Sequence, residues 1–406
     1  MKKKLIYILI VISCLFLSGC WDRRELNELA IVLAAGIDTA PKGNIRLTVQ
    51  IVRPRAFGGG AEKPGGQPQE NNVWVLSETG RTVLDTQRLL EKKVSREIYW
   101  GHDVIVVFGE DVAREGLNKV INFFSRSPQV RETIWAFVAK GKAQTVIDSH
   151  SQLENTSSQA AGSMARAGVG IPVMLKDLKM MLASKGTNPV LPCVELTASG
   201  DPQGPGMEEN IPEAKGKQEQ STKVHAEVTL CGTGVFKNDK LVGRLDTSQT
   251  RGLLWLTDQM EKGVITVPSA KEPEKKISVN LTEANTEVEP FWDGQNIWFD
   301  VKIDMEGDLL EQQSMEDITN PQIYKAIEDN VSRAIESKAR QSLEKAQYEF
   351  EVDIFKFGNA FHRKYKQEWK QIKNRWDEYF VTADVNIYVD TTLRRTGLET
   401  KRAIRQ

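Results

Sequence analysis

The fold of the second half of the chain is decided by residues 277–305, which read ISVNLTEANTEVEPFWDGQNIWFDVKIDM. Apolar residues alternate with polar ones from Ile277 to Val288 and again from Ile297 to Met305, as in strands with one buried face. Asp293-Gly294, between the two runs, is a dipeptide favoured in tight hairpin turns. We therefore predict one long antiparallel hairpin at the centre of this half.

Segments that can cover this hairpin follow it directly. Pro321 opens a predicted helix with a stripe of apolar residues at four-residue steps: Ile323, Ile327, Val331, Ile335, Ala339 and Leu343. Phe350 to Phe355 is predicted as a short strand, Phe361 to Trp376 as a second amphipathic helix, and Val381 to Val389 as a closing strand. The second half is therefore predicted to be α+β, with helices packed on an antiparallel-rich sheet.

Upstream of the long hairpin, a second and shorter hairpin is predicted. Val224 to Leu230 alternates as a strand, and Gly234-Val235-Phe236 leads through a turn at Asn238-Asp239 to Leu241-Val242-Gly243. Asp246 or Thr247 then caps a helix.

A stretch of different composition separates the two halves. Ser199 to Thr222 holds prolines and glycines among charged and amide residues, with almost nothing apolar. Such a segment cannot bury enough apolar surface to offset the loss of chain entropy on folding. We predict an N-terminal α/β domain over residues 20–198, a flexible linker over 199–222 and a C-terminal α+β domain over 223–406.

In the N-terminal half, strands alternate with helices after an opening hairpin. Glu28 to Ile37 and Ile45 to Ile51 are predicted as that hairpin, with one face buried. Later strands and helices alternate and predict a mixed sheet covered by helices: strands at 73–76, 102–108 and 133–138, and helices at 83–94, 117–124 and 164–183. Residues 58–72, rich in glycine and proline, are predicted as an exposed loop.

The N-terminus has the pattern of a lipoprotein leader, predicted as a signal peptide over residues 1–19. Three lysines precede an apolar stretch from Leu5 to Leu17, which is shorter than the roughly 20 residues of a transmembrane helix. The leader closes with Leu17-Ser18-Gly19-Cys20, the pattern of a bacterial lipoprotein. In that chemistry Cys20 receives a diacylglycerol and a fatty acid and becomes the first mature residue. Two acyl chains or more provide stable anchoring.

The amino-acid composition limits the classes of protein to which the chain after the leader can belong. Hydrophobic residues make up 40% and charged residues 27% of the 406 residues, as in soluble globular proteins. The formal net charge is −1, and −4 without the three leader lysines, which is too small to favour nucleic-acid binding. Apart from Cys14 in the leader and Cys20, two cysteines remain. Cys193 and Cys231 can form a disulfide or stay as two buried thiols, and the sequence leaves both states open.

No motif of known catalytic or metal-binding chemistry is present in the sequence. The histidines at 102, 150, 225 and 362 show no metal-ligand spacing. His102 beside Asp103 could imitate half of a catalytic dyad, but neighbours in a strand point to opposite faces. We therefore expect a protein that is not an enzyme and that carries no cofactor besides the lipid on Cys20.

Basic residues crowd opposite the aromatic stripe of the second amphipathic helix. They include Arg363, Lys364, Lys370 and Lys373. Such a face can lie on anionic lipid or meet an acidic partner, or it can be an ordinary solvated face over a packed core. The sequence favours the solvated face and leaves a membrane or partner contact open.

Three segments carry a family resemblance. The first is Leu-Ser-Gly-Cys-Trp-Asp-Arg-Arg-Glu-Leu at residues 17–26, which runs into Gly36-Ile37-Asp38. The second is Gly232 to Leu245, with the helix that follows it. The third comprises Asp353-Ile354-Phe355, Gly358, Trp369, Trp376, Phe380 and Thr396-Gly397. In these segments the chain resembles the Ger(x)C lipoproteins, the C subunits of spore germinant receptors in endospore-forming bacteria.

The resemblance implies a lipid-anchored protein on the outer face of the spore inner membrane. Its partners would be a polytopic A-type subunit and a transporter-like B-type subunit that senses nutrients. It also implies a mixed α/β fold, in two domains or three lobes. No catalytic residues are known for the family, so only Cys20 carries over as a functional residue.

Two other classes of protein remain as alternatives. A solute-binding lipoprotein of an importer would fit the size, but such proteins have doubly wound lobes with regular βαβ repeats. The hairpin around Asp293-Gly294 argues against that class. A cell-wall hydrolase would need a carboxylate or metal cleft that the sequence does not indicate. We therefore expect the C subunit of a germinant receptor.

Overall fold

A computed structural model describes residues 26–53, 73–149, 154, 156–168, 170–198 and 226–395. The leader with Cys20, the predicted loop 58–72 and the predicted linker 199–222 lie outside the described residues. The strands are β1 Leu29–Ala40, β2 Asn44–Val52, β3 Val73–Gly80, β4 Glu97–Tyr99, β5 Ile105–Phe108, β6 Trp135–Ala139, β7 Val190–Ala198, β8 Ala226–Lys237, β9 Lys240–Leu245, β10 Val264–Pro268, β11 Lys276–Trp292, β12 Ile297–Gln312 and β13 Asp384–Arg395. The helices are α1 Val83–Glu91, α2 Glu110–Glu115, α3 Asn118–Arg126, α4 Ala143–Asp148, α5 Ser157–Arg166, α6 Leu175–Ala183, α7 Thr247–Leu256, α8 Pro321–Glu344, α9 Phe357–Lys364, α10 Lys366–Ile372 and α11 Trp376–Thr382.

The first sheet has a parallel centre with antiparallel flanks. Its strand order is β3-β2-β1-β5-β6-β7-β8-β9, and β4 also pairs with β1. Strands β1, β5, β6 and β7 run parallel, and the outer pairs are antiparallel. Side chains of α1 and α3 pack on one face and those of α4 and α5 on the other. Every residue of β5 is buried as a result.

The opening hairpin is confirmed, but its second strand is buried on both faces where one buried face was predicted. Strands β1 and β2 pair antiparallel around a turn in which Lys42 and Gly43 have φ values of 64° and 73°. Gln50 is only 1% exposed. Its amide donates to the Ile147 carbonyl oxygen at 3.1 Å and accepts from the Ser158 hydroxyl at 2.8 Å. These bonds allow a polar side chain under α4 and α5.

The second sheet has the predicted hairpin at its centre. Its order is β10-β11-β12-β13; β11 and β12 pair antiparallel, and β13 lies parallel to β12. Helix α8 packs on the inner face of this sheet, and all six residues of its predicted stripe are buried. The prediction of a mixed α+β fold, with helices on antiparallel-rich sheets, is confirmed.

Two predictions near the C-terminus are wrong. Phe350 to Phe355 is not a strand, because α8 continues as a π-helical turn over Lys345–Phe350 and the chain then turns at Glu351, where φ is 55°. The predicted helix from Phe361 to Trp376 is broken at Tyr365 and again by a 3₁₀ turn over Lys373–Arg375. On a straight helix Phe361 and Trp376 would lie about 22 Å apart. In the structure their ring centroids are 5.7 Å apart, so the aromatic cluster requires the breaks.

The first sheet crosses the position predicted for the domain boundary. Strands β7 and β8 lie on either side of residues 199–222 and pair antiparallel from Val190↔Val235 to Ala198↔Ala226. Cys193 in β7 and Cys231 in β8 form a disulfide, with Cα atoms 5.2 Å apart. Of the two cysteine states left open by the sequence, the structure has the bonded one. Strands from the two halves therefore share one sheet, and β10–β13 form the other.

Cleavage between the halves should not separate them. We expect trypsin to cut first near Lys215 or Lys217, and the fragments to stay together through the pairing of β7 with β8. Gel filtration with reductant, which opens the Cys193–Cys231 disulfide, should still show one species, and a reducing denaturing gel should show two fragments. Protection of residues 199–222, with early cleavage elsewhere, would contradict the predicted linker. Separation on gel filtration would contradict the pairing.

Candidate functional site

Asp353, in the third segment of family resemblance, is a buried carboxylate surrounded by hydrogen-bond donors. It accepts hydrogen bonds from the backbone N–H groups of Phe355 and Gly358, at 2.8 and 2.7 Å, and from the indole Nε1 of Trp376 at 2.9 Å. Burial raises the pKa of Asp353 to about 6, because the loss of hydration outweighs the hydrogen bonds that lower it. These bonds hold the chain after α8 against α11.

Asp353 also forms a backbone hydrogen bond with the segment that follows α6. Its backbone carbonyl oxygen accepts from the backbone N–H of Asn188 at 2.6 Å. The Asn188 side chain donates to Asp377 at 3.0 Å and accepts from the backbone N–H of Asn238 at 2.9 Å. We call this set the Asp353 hub: Asp353, Phe355, Gly358, Trp376, Asp377, Asn188 and Asn238. It joins three parts of the chain that are distant in sequence.

Asp38, in the first segment of family resemblance, is a second buried carboxylate, and it binds the beginning of a helix. It accepts from the backbone N–H groups of Ala143 and Gln144, at 2.7 and 2.9 Å, where α4 begins. Burial raises the pKa of Asp38, although both hydrogen bonds lower it. A Cβ atom on Gly109 would overlap the Asp38 carboxylate, so this glycine leaves the room that the carboxylate needs. Asp38 therefore fixes the start of α4 against the end of β1.

His102 and Asp103 do not form a dyad. His102 is exposed and Asp103 is buried, and no hydrogen bond joins these two described residues. Burial raises the pKa of Asp103 well above its usual range. Among the described residues, no group of three or more His, Cys, Asp or Glu side chains is arranged to hold a metal ion.

The four basic residues singled out in the sequence are exposed, but they do not share one helix. Arg363 and Lys364 end α9, Lys370 lies in α10 and Lys373 begins the 3₁₀ turn. The ammonium of Lys364 is 3.0 Å from a Glu289 carboxylate oxygen and 4.5 Å from the Phe291 ring centroid. Arg363 and Lys373 form no ion pair with any described residue. All four cations are accessible to solvent, which is required both for a membrane or partner contact and for an ordinary solvated face.

A groove of about 710 Å³ lies between α1 and α3. Trp100 and Phe123 contribute apolar surface to it. The lining cations have partners nearby: Arg88 lies 2.7 Å from Glu91, and Lys119 lies 3.6 Å from Glu115. No sequence pattern marks this groove, because its lining comes from separate elements. Two of its cations lie beside glutamates and the third, Arg126, donates to the Asn122 side chain at 2.6 Å, so the groove does not identify a class of ligand.

In the part of the chain that the structure describes, no helix combines the length and the apolar character needed to cross a bilayer. The lipidation site Cys20 lies outside it, so its modification stays a prediction.

Two family models match the chain. The model described as "Spore germination protein N-terminal domain" matches residues 22–196. The model described as "Spore germination B3/ GerAC like, C-terminal" matches residues 231–397. Together the two matches cover most of the chain and contain Asp38 and the Asp353 hub.

Proteins from Bacillus subtilis (strain 168) are similar along nearly the whole length. Spore germination protein KC is 28% identical over 406 residues, which cover 98% of this chain and 97% of that protein. Spore germination protein A3 is 23% identical over 402 residues, which cover 97% and 98%. The crystal structure of the GerBC protein has the same fold, with a TM-score of 0.55 at 18% identity over 88% of this chain and 96% of that one. The chain belongs to the GerAC-like family of spore germination proteins.

Proposed function

We propose that the chain is the C subunit of a spore germinant receptor and acts by assembly with membrane partner subunits. The observation that carries this proposal is the match of both halves to spore germination families. Spore germination proteins KC, A3 and B3 align with more than nine-tenths of the chain. The partners would be an A-type and a B-type integral membrane subunit, and the site of action would be the outer face of the spore inner membrane.

The buried carboxylates Asp38 and Asp353 have a structural role in the fold and not a catalytic one. Asp38 and Asp353 each accept hydrogen bonds from backbone N–H groups that position secondary structure. A general acid or base needs a path to a substrate proton. Both of these groups are enclosed in the fold.

The fold also favours the receptor subunit over the solute-binding lipoprotein. A solute-binding protein of that class has two doubly wound lobes with its ligand between them. The second sheet here is built around an antiparallel hairpin, and a single strand, β13, lies parallel in it.

Cys20→Ala should abolish lipid labelling and weaken membrane retention, because the lipidated cysteine is the anchor predicted from the sequence. Metabolic labelling with a fatty acid, followed by membrane fractionation, measures both effects. Cys14→Ala, within the leader, is the matched control and should leave labelling and retention unchanged. An unlabelled wild type would contradict the anchor. Firm membrane retention of the unlabelled variant would show that partner subunits hold the protein at the membrane.

Reversing charge at Lys370 and Lys373 should slow the germination response if these residues contact anionic lipid or an acidic partner. Near an anionic membrane each basic residue adds about 1 kcal/mol of attraction, which fades within a Debye length of about 8 Å. Both side chains are exposed, so the double variant Lys370→Glu/Lys373→Glu should fold normally. The matched control is Lys240→Glu/Lys262→Glu, also at exposed positions. Germination at the wild-type rate in both variants would show that these basic residues are ordinary solvated side chains without a membrane or partner contact.

A further inference from the structure

The outer face of the second sheet is open and acidic. This face consists of the side chains of β11, β12 and β13 that point away from α8, and the strand register aligns them in rows. On β11 and β12 it carries the carboxylates of Glu283, Glu287, Glu289, Asp300, Asp304 and Glu306. We call it the outer acidic face. The same two strands carry two cations: Lys302, which lies among these carboxylates, and Lys276 at the start of β11.

The excess of negative charge on the outer acidic face does not stabilise the sheet. Three pairs of carboxylates stand directly opposite each other across neighbouring strands: Glu283 and Glu306, Glu289 and Asp300, and Asp304 and Asp390. Like charges in such positions destabilise a sheet, and ordinary solvated faces mix both signs. Arg394 bonds to Glu306 and Lys364 to Glu289. At the centre of the face Glu287 stands opposite Lys302, and Asp304 stands opposite Asn285 and Asp390; neither Glu287 nor Asp304 forms an ion pair with any described residue.

Aromatic side chains lie among these carboxylates. Tyr388 is 54% exposed and stands opposite Lys302. Phe291 and Trp298 stack at one end of the face with ring centroids 5.5 Å apart. Tyrosine and tryptophan are enriched in protein interfaces and at their energetic centres.

One cation of this chain, Lys364, already contacts a carboxylate and an aromatic ring of the face together. The Lys364 ammonium reaches the edge of the face and lies beside both the Glu289 carboxylate and the Phe291 ring. A carboxylate and an aromatic ring together attract a cation by charge and by the ring quadrupole. Glu287, Asp304 and the Tyr388 ring bring the same groups to the centre of the face, around Lys302, which stands opposite Glu287 on one side and Tyr388 on the other.

We propose that the outer acidic face is the docking site for a Lys/Arg-rich segment of a partner protein. The proposal rests on the proposed function, in which the chain assembles with other subunits. Two acidic faces repel each other, so this face does not form a symmetric dimer, and an anionic lipid surface repels it in the same way. A cationic protein segment complements the charge, and its lysine or arginine side chains lie beside Asp304 and Asp390, which stand opposite each other on β12 and β13.

A photo-reactive benzoylphenylalanine in place of Tyr388 tests the proposal in the full-length, membrane-bound chain. Irradiated spore membranes should give a crosslink, and mass spectrometry should map it to a net-positive peptide of another protein. Glu287→Lys with Asp304→Lys should lower the crosslink yield about tenfold or more, because like charges across an interface repel strongly. Glu261→Lys with Glu344→Lys makes the same change in net charge at exposed positions outside the face, and should leave the yield unchanged.

Several results would overturn the proposal: no crosslink, a neutral or acidic contact peptide, a lipid adduct, a crosslink to a second copy of this chain, or equal yields from the two charge-reversal variants. Failure of the proposed function would look different. A charge-dependent crosslink to a cationic segment of a protein other than an A-type or B-type subunit would support the docking site and contradict the receptor assignment.

Discussion

Asp353→Ala should lower the free energy of unfolding by about 3–5 kcal/mol at pH 5, because each buried donor left without an acceptor costs about 1–3 kcal/mol. The donors are the backbone N–H groups of Phe355 and Gly358 and the indole of Trp376. Denaturant unfolding followed by tryptophan fluorescence measures the change. Asp377→Asn is the control, since its amide oxygen can still accept from Asn188, and it should cost less than about 1 kcal/mol. Equal losses in the two variants would contradict the central place of Asp353 in the hub.

The effect of Asp353→Ala should shrink as the pH rises. The folded pKa of Asp353, about 6, lies above its ordinary value. Between the two values the folded chain therefore binds more protons than the unfolded chain. Stability contributed by this group is complete at low pH and is lost as the pH rises toward the folded pKa. The difference between wild type and variant should fall by about 1 kcal/mol per pH unit from pH 5 to 6 and level off above that. A difference that grows with pH would mean that the hydrogen bonds outweigh burial.

Gly232→Ala should be the second strongly destabilising change, with a loss of about 3 kcal/mol or more from left-handed strain and overpacking together. Gly232 lies in β8 with a φ of 106°, and a Cβ atom there would overlap the carbonyl oxygen of Leu245 in the paired strand β9. Thermal unfolding measures the loss.

Gly294→Ala is the matched control for Gly232→Ala. Its φ is 102°, but a Cβ atom added there meets nothing within 4 Å. It should therefore cost only the backbone strain, about 1–2 kcal/mol. Equal losses in the two variants would show that β9 moves aside at little cost.

Elements with a strong internal period could be predicted from the sequence. Helix α8 and the β11–β12 hairpin each repeat their apolar residues regularly, and both appear where the pattern placed them. Strand β7 was missed, because Val190–Ala198 contains Pro192 and is recognisable mainly from its partners β6 and β8. The break at Tyr365 has no proline or glycine to mark it. It follows from contacts among aromatic rings that are up to 15 residues apart in sequence.

The site could be predicted only in part. Resemblance pointed to Asp353, Gly358 and Trp376 but not to their hydrogen bonds, and Asn188 joins them from 165 residues away. The outer acidic face had a signal that could have been used, since Asp300, Asp304 and Glu306 share one face of an alternating strand. The position of Tyr388 beside them depends on the parallel pairing of β13 with β12. No local pattern encodes that register.

Affinity purification of the tagged chain from detergent-solubilised spore membranes tests the central claim most directly. If the chain is the C subunit of a germinant receptor, an A-type and a B-type integral membrane subunit should co-purify with it in a constant ratio. Recovery of the chain with an importer's permease and ATPase, or with no membrane subunit at all, would contradict the account.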